Sequence, residues 1–156
     1  MKKIISLILA LTLVLSLAAC GGSSKAEEPV SVDVAALYDS YSQYMPDMFY
    51  PDDETLMNFL GINAADCAQY KIAICAEGMR CDEVWLVEAK DQTALENLRQ
   101  LAQTRILSKK DETVTYAPDQ YVIVEKAQIV ENGLYLALLI SPDVDALKAG
   151  FEAAFQ

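Results

Sequence analysis

The chain has 156 residues, of which 53% are hydrophobic, and a formal net charge of -11 at neutral pH. A protein this acidic repels nucleic acid and anionic headgroups, so no nucleic-acid partner is expected. The sequence contains no histidine, which excludes histidine-based catalysis and histidine-ligated metal sites. It also has no recognisable catalytic or phosphate-binding motif, and it therefore predicts neither an enzyme nor a cofactor.

The first residues have the three parts of a secretory signal. Two lysines precede an uncharged apolar stretch over residues 4–17, which is shorter than the roughly 18 residues of a membrane-spanning helix. The tetrapeptide LAAC that ends at Cys20 resembles the lipobox of bacterial lipoproteins, in which the cysteine is acylated before the signal peptide is cut. Residues 1–19 are therefore predicted to be a signal peptide. We expect lipid, including palmitate, on Cys20 and a protein anchored on the extracytoplasmic face of the cell membrane.

The composition changes after the predicted cleavage site. Residues 20–32 are small and polar and include Pro29, which predicts a lipidated flexible tether with a reach of roughly 20 Å. The remaining length suits one hydrophobic core but not comfortably two. We therefore expect a single domain over residues 33–156.

Two short amphipathic helices are predicted at the start of this domain. Asp33 is placed to cap the first helix, whose apolar residues recur at three- and four-residue spacing. The second helix begins at Asp52 or Asp53 and ends at Gly61, because glycine favours the left-handed conformation that closes a helix. Residues 48–51 between the two helices predict a loop.

The rest of the chain indicates two successive strand, strand, helix units. The predicted elements are strands 70–77 and 84–89, a long helix after Asp91, strands 121–130 and 134–140, and a helix after Ser141. The Asn132-Gly133 dipeptide suits the tight turn of the second hairpin. Together these units predict an α+β fold, a two-layer sandwich of a four-stranded antiparallel sheet with its helices on one face.

Several short motifs occur in a fixed order along this domain. They are Leu60-Gly61-Ile62-Asn63 with Asp66, Asp82-Glu83-Val84 with Val87-Glu88-Ala89-Lys90, Tyr116-Ala117-Pro118-Asp119-Gln120-Tyr121, and Asn132-Gly133-Leu134-Tyr135. Their order resembles the DUF4358 family of small lipoproteins, mainly from low-GC Gram-positive bacteria, which has no established function. The resemblance covers residues 56–155. It implies a domain type and a cell-surface address, and it carries over no catalytic residue.

Three cysteines follow Cys20, namely Cys67, Cys75 and Cys81. Cys75 and Cys81 flank Gly78 symmetrically and could face each other across the first hairpin, which would allow a disulfide. Cβ atoms of paired residues across an antiparallel ladder are about 4.5 to 5.5 Å apart, a little wide for a relaxed bridge. The sequence therefore leaves open both a disulfide and two separate thiols.

The sequence offers five candidate ligand contacts: Tyr38, Tyr50, Asp52, Asp53 and Glu88. The two tyrosines belong to an aromatic-rich segment, and an exposed ring can stack on a sugar or peptide, with core packing as the alternative. The two aspartates offer carboxylate oxygens for a cation, but acids also favour helix starts. Glu88 lies on a predicted strand, where an unpaired buried acid often marks a site.

The predicted function is a non-catalytic module that binds a protein, peptide or small-molecule ligand at the cell surface while acylated Cys20 holds it on the bilayer. One alternative is a carboxylate-dependent cell-wall hydrolase, which needs two acids about 5 to 9 Å apart across a cleft. The other is an accessory subunit of a surface complex, for which an exposed apolar patch would be the sign.

Overall fold

Five antiparallel strands form the centre of the computed structural model, which describes residues 30–156. The strands are β1 (Met48–Phe49), β2 (Cys67–Cys75), β3 (Glu83–Ala89), β4 (Gln128–Asn132) and β5 (Tyr135–Ile140), lying side by side in the order β1-β2-β3-β5-β4. The predicted signal peptide, Cys20 and the tether residues up to 29 lie outside the described residues. The predicted α+β class with an antiparallel sheet built on two hairpins is confirmed.

The helices surround this sheet. They are α1 (Val34–Asp39), α2 (Asp53–Thr55), which continues as a π-helical turn over Leu56–Leu60, α3 (Gln92–Tyr116), α4 (Pro118–Glu125) and α5 (Val144–Ala153). The side chains of Asp33, Asp52 and Asp91 each accept a backbone N–H at a helix start, as the sequence predicts. Gly61 ends the π-helical turn with a φ of 73°, in the left-handed region.

The main difference from the predicted elements lies in residues 121–130. This segment is not one strand, because α4 occupies most of its first half and β4 begins only at Gln128. Pro118 takes the first turn of α4, where its fixed φ suits a helix and its missing N–H costs nothing. Val124 then points into the core from the helix. A short apolar run of this kind does not distinguish a strand from a helix by its period.

A second difference is the number of strands. Residues 48–51 were expected to form a loop, but Met48 and Phe49 pair with the end of β2, opposite Cys75 and Ile74. The buried Met48 side chain packs into the core and holds this short strand in place. The sheet therefore has five strands instead of the predicted four.

Helices cover both faces of the sheet, which corrects the expectation that they share one face. Trp85 on β3 packs in one core with Leu98 of α3, and α4 belongs to the same side. The next residue, Leu86, points the other way and packs with Phe151 of α5, beside α1. The physical reason is that β3 and β5 are buried along nearly their whole length, so both faces need an apolar cover.

The chain enters the domain through a set of hydrogen bonds that we call the N-terminal clamp, formed by Gln69, Glu88 and Tyr135. The N–H of Val32 donates to the Tyr135 hydroxyl at 3.1 Å, and its carbonyl accepts from Gln69 Nε2 at 2.8 Å. Gln69 Oε1 accepts the N–H of Val34 at 3.0 Å. Gln69 Nε2 also donates to Glu88 at 2.7 Å. The clamp lies where β2 begins, β3 ends and β5 begins.

Candidate functional site

A cleft with a volume of about 290 Å³ opens at the other end of β2 and β3, beside the turn that joins them. We call it the hairpin cleft. Its walls come from the β2–β3 turn, from the second half of α3 and from the junction of α3 and α4. The lining residues with ionisable side chains are Cys75, Glu77, Arg80, Cys81, Lys109 and Glu112. The large apolar ones are Ile74, Met79 and Tyr116.

A buried ion cluster lies against the hairpin cleft and is centred on Glu83, the first residue of β3. Arg105 on α3 donates through Nε and Nη2 to the two Glu83 oxygens, at 3.0 and 2.9 Å. Lys109, one helical turn further on, places Nζ 3.1 Å from Oε2 of the same carboxylate. The indole N–H of Trp85 donates to Glu83 Oε1 at 2.8 Å. One carboxylate therefore meets two cations, whose side chains are only 13% and 7% exposed.

A second buried acid, Asp82, is neutralised from the rim of the cleft. Arg80 donates through Nε and Nη2 to its two oxygens at 3.1 and 3.3 Å. This hydrogen-bonded pairing raises the pKa of Arg80. Both buried acids at this end of the sheet thus have cationic partners. The carboxylates that line the cleft itself are the exposed Glu77 and Glu112.

The two cysteines of the predicted disulfide both line the hairpin cleft but do not form a cross-strand pair. The N–H of Cys75 donates to the carbonyl of Asp82, so the register places Cys75 opposite Asp82 and not opposite Cys81. Cys81 belongs to the core on the α3 side, while Cys75 packs on the other face. The described cysteines, Cys67 among them, are unbridged. Burial raises the pKa of the Cys81 thiol, which disfavours a reactive thiolate.

The two predicted tyrosine contacts come together, but away from the hairpin cleft. The rings of Tyr38 and Tyr50 meet edge to face with centroids 5.9 Å apart, and Lys71 Nζ lies 4.0 Å from the Tyr50 centroid. Tyr38 is buried, and burial raises its pKa well above the usual range, whereas Tyr50 is half exposed. Tyr38 is therefore a core residue, and the ring of Tyr50 is already in contact with the cation of Lys71.

The other three predicted contacts have partners within the chain. Asp52 caps α2, and Asp53 accepts a hydrogen bond from the Tyr70 hydroxyl. Glu88 belongs to the N-terminal clamp and lines a second cavity of about 380 Å³, beside Tyr135. Within residues 30–156, no group of three His, Cys, Asp or Glu side chains is placed to hold a metal ion.

The pairing of Asp53 with Tyr70 gives a testable pH dependence. Its hydrogen bond, together with a smaller effect of burial, raises the pKa of Tyr70 from 10.0 to about 12. The folded chain therefore holds this proton more tightly than the unfolded chain, and the resulting stabilisation is lost as the pH rises from about 10 to about 12. We expect Asp53→Asn to lower the pKa of Tyr70 towards 10, as measured by ultraviolet absorbance titration.

Two variants control this titration. Tyr70→Phe assigns the titrating phenol, and Asp52→Asn removes a neighbouring charge while keeping a residue that caps α2. A Tyr70 titration curve that is unchanged in Asp53→Asn would show that the carboxylate does not hold the phenolic proton.

The sheet, the helices on its two faces and the hairpin cleft define a small α+β domain that places a buried ion cluster next to an open cleft. The chain belongs to the DUF4358 family, described as a domain of unknown function, which it matches over residues 38–141. The resemblance inferred from the motifs is thereby confirmed. Comparisons with curated proteins and with solved structures gave no match. In the described part of the chain, no helix is long and apolar enough to span a membrane.

Sequence reasoning did not find the ion cluster, although two of its signals are visible in the sequence. Glu83 is an acid that directly precedes the apolar run of β3. Arg105 and Lys109 are four residues apart, so they share one face of α3, and that face continues the apolar stripe of Leu98 and Ala102. A cation on the apolar stripe of a helix requires a buried partner, and an acid at a strand start can supply one.

Proposed function

We propose that this protein is a lipoprotein, acylated on Cys20 and anchored on the extracytoplasmic face of the membrane, whose domain presents the hairpin cleft to a ligand or partner protein. One observation carries the proposal: the N-terminal clamp and the hairpin cleft lie at opposite ends of β3. The seven residues of β3 span about 20 Å. Because the described chain enters the domain at the clamp, an anchor at Cys20 favours an orientation in which the hairpin cleft faces away from the bilayer.

A non-catalytic role is supported by the charges at this cleft. Asp82 and Glu83 are ion-paired with Arg80 and Arg105, so both carboxylates already have partners within the chain. A hydrolase site in this cleft would therefore depend on Glu77 and Glu112, and it predicts that Glu77→Gln or Glu112→Gln abolishes cell-wall hydrolysis. A binding module needs no such pair of free acids, and it is the function that we favour.

The accessory-subunit alternative stays a prediction. The described residues include several exposed large apolar side chains on α3 and α4, namely Leu107, Val114, Tyr116 and Val122. Single exposed apolar residues are common on soluble domains, so these side chains do not by themselves identify a partner.

Replacing Cys20 with Ala tests the anchor. The variant should accumulate as uncut precursor and should lose all labelling by a fatty-acid analogue, since the thiol is the acylated atom. The measurement is gel mobility together with analogue incorporation in the membrane fraction. Cys67→Ala is the matched control and should be labelled like the unsubstituted protein, whereas unchanged labelling of Cys20→Ala would overturn the anchor.

The same cells can report on which side of the membrane the hairpin cleft lies. A Met79→Cys variant, at a side chain that is 66% exposed on the cleft rim, should react with a membrane-impermeant maleimide on intact cells. Labelling that appears only after lysis would contradict the extracytoplasmic location.

A further inference from the structure

We propose that the hairpin cleft binds a small zwitterionic ligand, a free amino acid or a short peptide, with the ligand carboxylate at Lys109 and its ammonium group near Glu77 and Glu112. This inference rests on the proposed function as a binding module and names the class of ligand. It combines the charge of the cleft floor, the charge of its rim, the volume of the cleft and the net charge of the chain.

The floor of the cleft has an excess of positive charge. Arg105 takes both oxygens of Glu83, so Lys109 is a second cation on a carboxylate that is already paired. The ammonium group of Lys109 has three donors, and its one ion pair in the described residues is with Glu83. Burying a cation to 7% exposure without a full negative partner is unfavourable in free energy. An anionic group in the cleft would supply the missing negative charge.

The rim of the cleft has an excess of negative charge, since the cation there, Arg80, is already paired with Asp82. Glu77 on the β2–β3 turn and Glu112 on α3 both line the cleft and are exposed, and the structure gives neither a salt bridge within the described residues. Glu112 is one helical turn beyond Lys109, so positive charge lies deep and negative charge lies at the mouth. A ligand with a carboxylate and an ammonium group a few ångströms apart matches this order of charges.

The net charge of the chain argues against simpler ligands. A polyanion such as a nucleotide would be repelled by a protein of net charge -11 before it reached Lys109. A simple cation would satisfy the rim acids but would meet Lys109 at the floor. A zwitterion carries no net charge, so the overall field does not oppose its approach.

The volume and the walls of the cleft set the size of the ligand. A cavity of about 290 Å³ is at the small end of known ligand sites, which suits an amino acid or a dipeptide. Met79 and Tyr116 flank the opening with side chains that are 66% and 81% exposed. Because both are large and apolar, we expect them to contact an apolar side chain of the ligand.

The experiment uses four probes that share one side chain and differ only in charge: L-leucine, N-acetyl-L-leucine, L-leucine amide and N-acetyl-L-leucine amide. Each is titrated by calorimetry into the full lipidated protein in detergent. Alkylation of Cys75 in the cleft is followed by mass spectrometry, with Cys67, which does not line the cleft, as the internal control. We expect L-leucine to bind and to slow alkylation of Cys75 only. The anion and the cation should bind at least about tenfold more weakly, a change of about 1.4 kcal/mol, and the doubly capped probe should not bind.

Lys109→Met should abolish the preference for a free carboxylate, and it leaves the Glu83–Arg105 pair in place. Lys110→Met, at the next residue and outside the cleft, is the matched control. Glu77→Gln combined with Glu112→Gln changes only exposed side chains and should abolish the preference for a free ammonium group.

Two results overturn the proposal: no binding of any probe to the folded protein, or equal binding of L-leucine and its capped forms. Equal binding would leave the module itself standing, because the hairpin cleft would then take a ligand of another class. A different result overturns the proposed function, namely unchanged fatty-acid labelling of Cys20→Ala.

Discussion

Replacing Glu83 with Gln is expected to lower the free energy of unfolding by about 3 to 5 kcal/mol. The change removes the carboxylate shared by Arg105 and Lys109 and leaves two nearly buried cations side by side. The amide can still accept the hydrogen bond from Trp85, so the loss measures mainly the missing charge. Urea denaturation can be followed through Trp85, the one tryptophan of the chain.

Two comparisons separate this charge effect from a general loss of an ion pair. Glu131→Gln breaks an exposed pair with Arg99 and should cost less than about 1 kcal/mol. Glu83→Leu combined with Arg105→Met and Lys109→Met should recover most of the loss, because an apolar cluster carries no unpaired charge. If Glu83→Gln is as stable as Glu131→Gln, the two cations must be solvated by water or paired with another group.

Leu86→Ala and Leu138→Ala should each destabilise the domain by about 2 to 5 kcal/mol. Both side chains are fully buried on central strands, but they lie on opposite faces of the sheet. Leu86 packs on the side of α5, and Leu138 packs on the side of α3. Each truncation leaves a cavity that the surrounding helix can fill only in part, and urea denaturation measures the cost.

Leu107→Ala on α3 is the control, since its side chain is 62% exposed and its removal should change stability by less than about 0.5 kcal/mol. A large loss for one leucine and none for the other would mean that only one face of the sheet is covered by helices in solution.

The parts of the fold that sequence reasoning predicts correctly are those fixed by neighbouring residues. Asp33 and Asp91 cap helices through hydrogen bonds to N–H groups two or three residues away. The hairpin turn predicted at Asn132-Gly133 is present but shifted by one residue: Gly133, with a φ of 58°, and Leu134 are its central residues, because Asn132 still pairs with Tyr135. The helix α4 is different, because Val124 is directed inward by packing against distant residues, and the local period of its segment does not reveal this.

The covering of both sheet faces is also a long-range property. The run of apolar residues in β5 is readable from the sequence and indicates a strand in the interior of the sheet. Which helix packs on which face depends on how the chain crosses the sheet after each hairpin. That choice places α3 and α5 on opposite sides, and no local pattern records it.

The candidate site shows the same limit. The residue types of Tyr38 and Asp52 suit ligand contacts, but both side chains have partners within the fold. The residues of the hairpin cleft come instead from a turn and from the second half of α3, which are about 30 residues apart in the sequence. They therefore share no local motif. Arg105 and Lys109 could have been singled out by their place on an apolar helical stripe, whereas the rim acids could not.

The N-terminal clamp has a mechanical consequence for the lipid anchor that we propose. Tension on such an anchor would act first on Val32 and Val34, which three hydrogen bonds hold to Gln69 and Tyr135. We expect these three bonds to break before the ladders of the central strands. Breaking them would add three residues to the tether and lengthen it by about 10 Å. The domain could then move further from the membrane surface while its sheet stays intact.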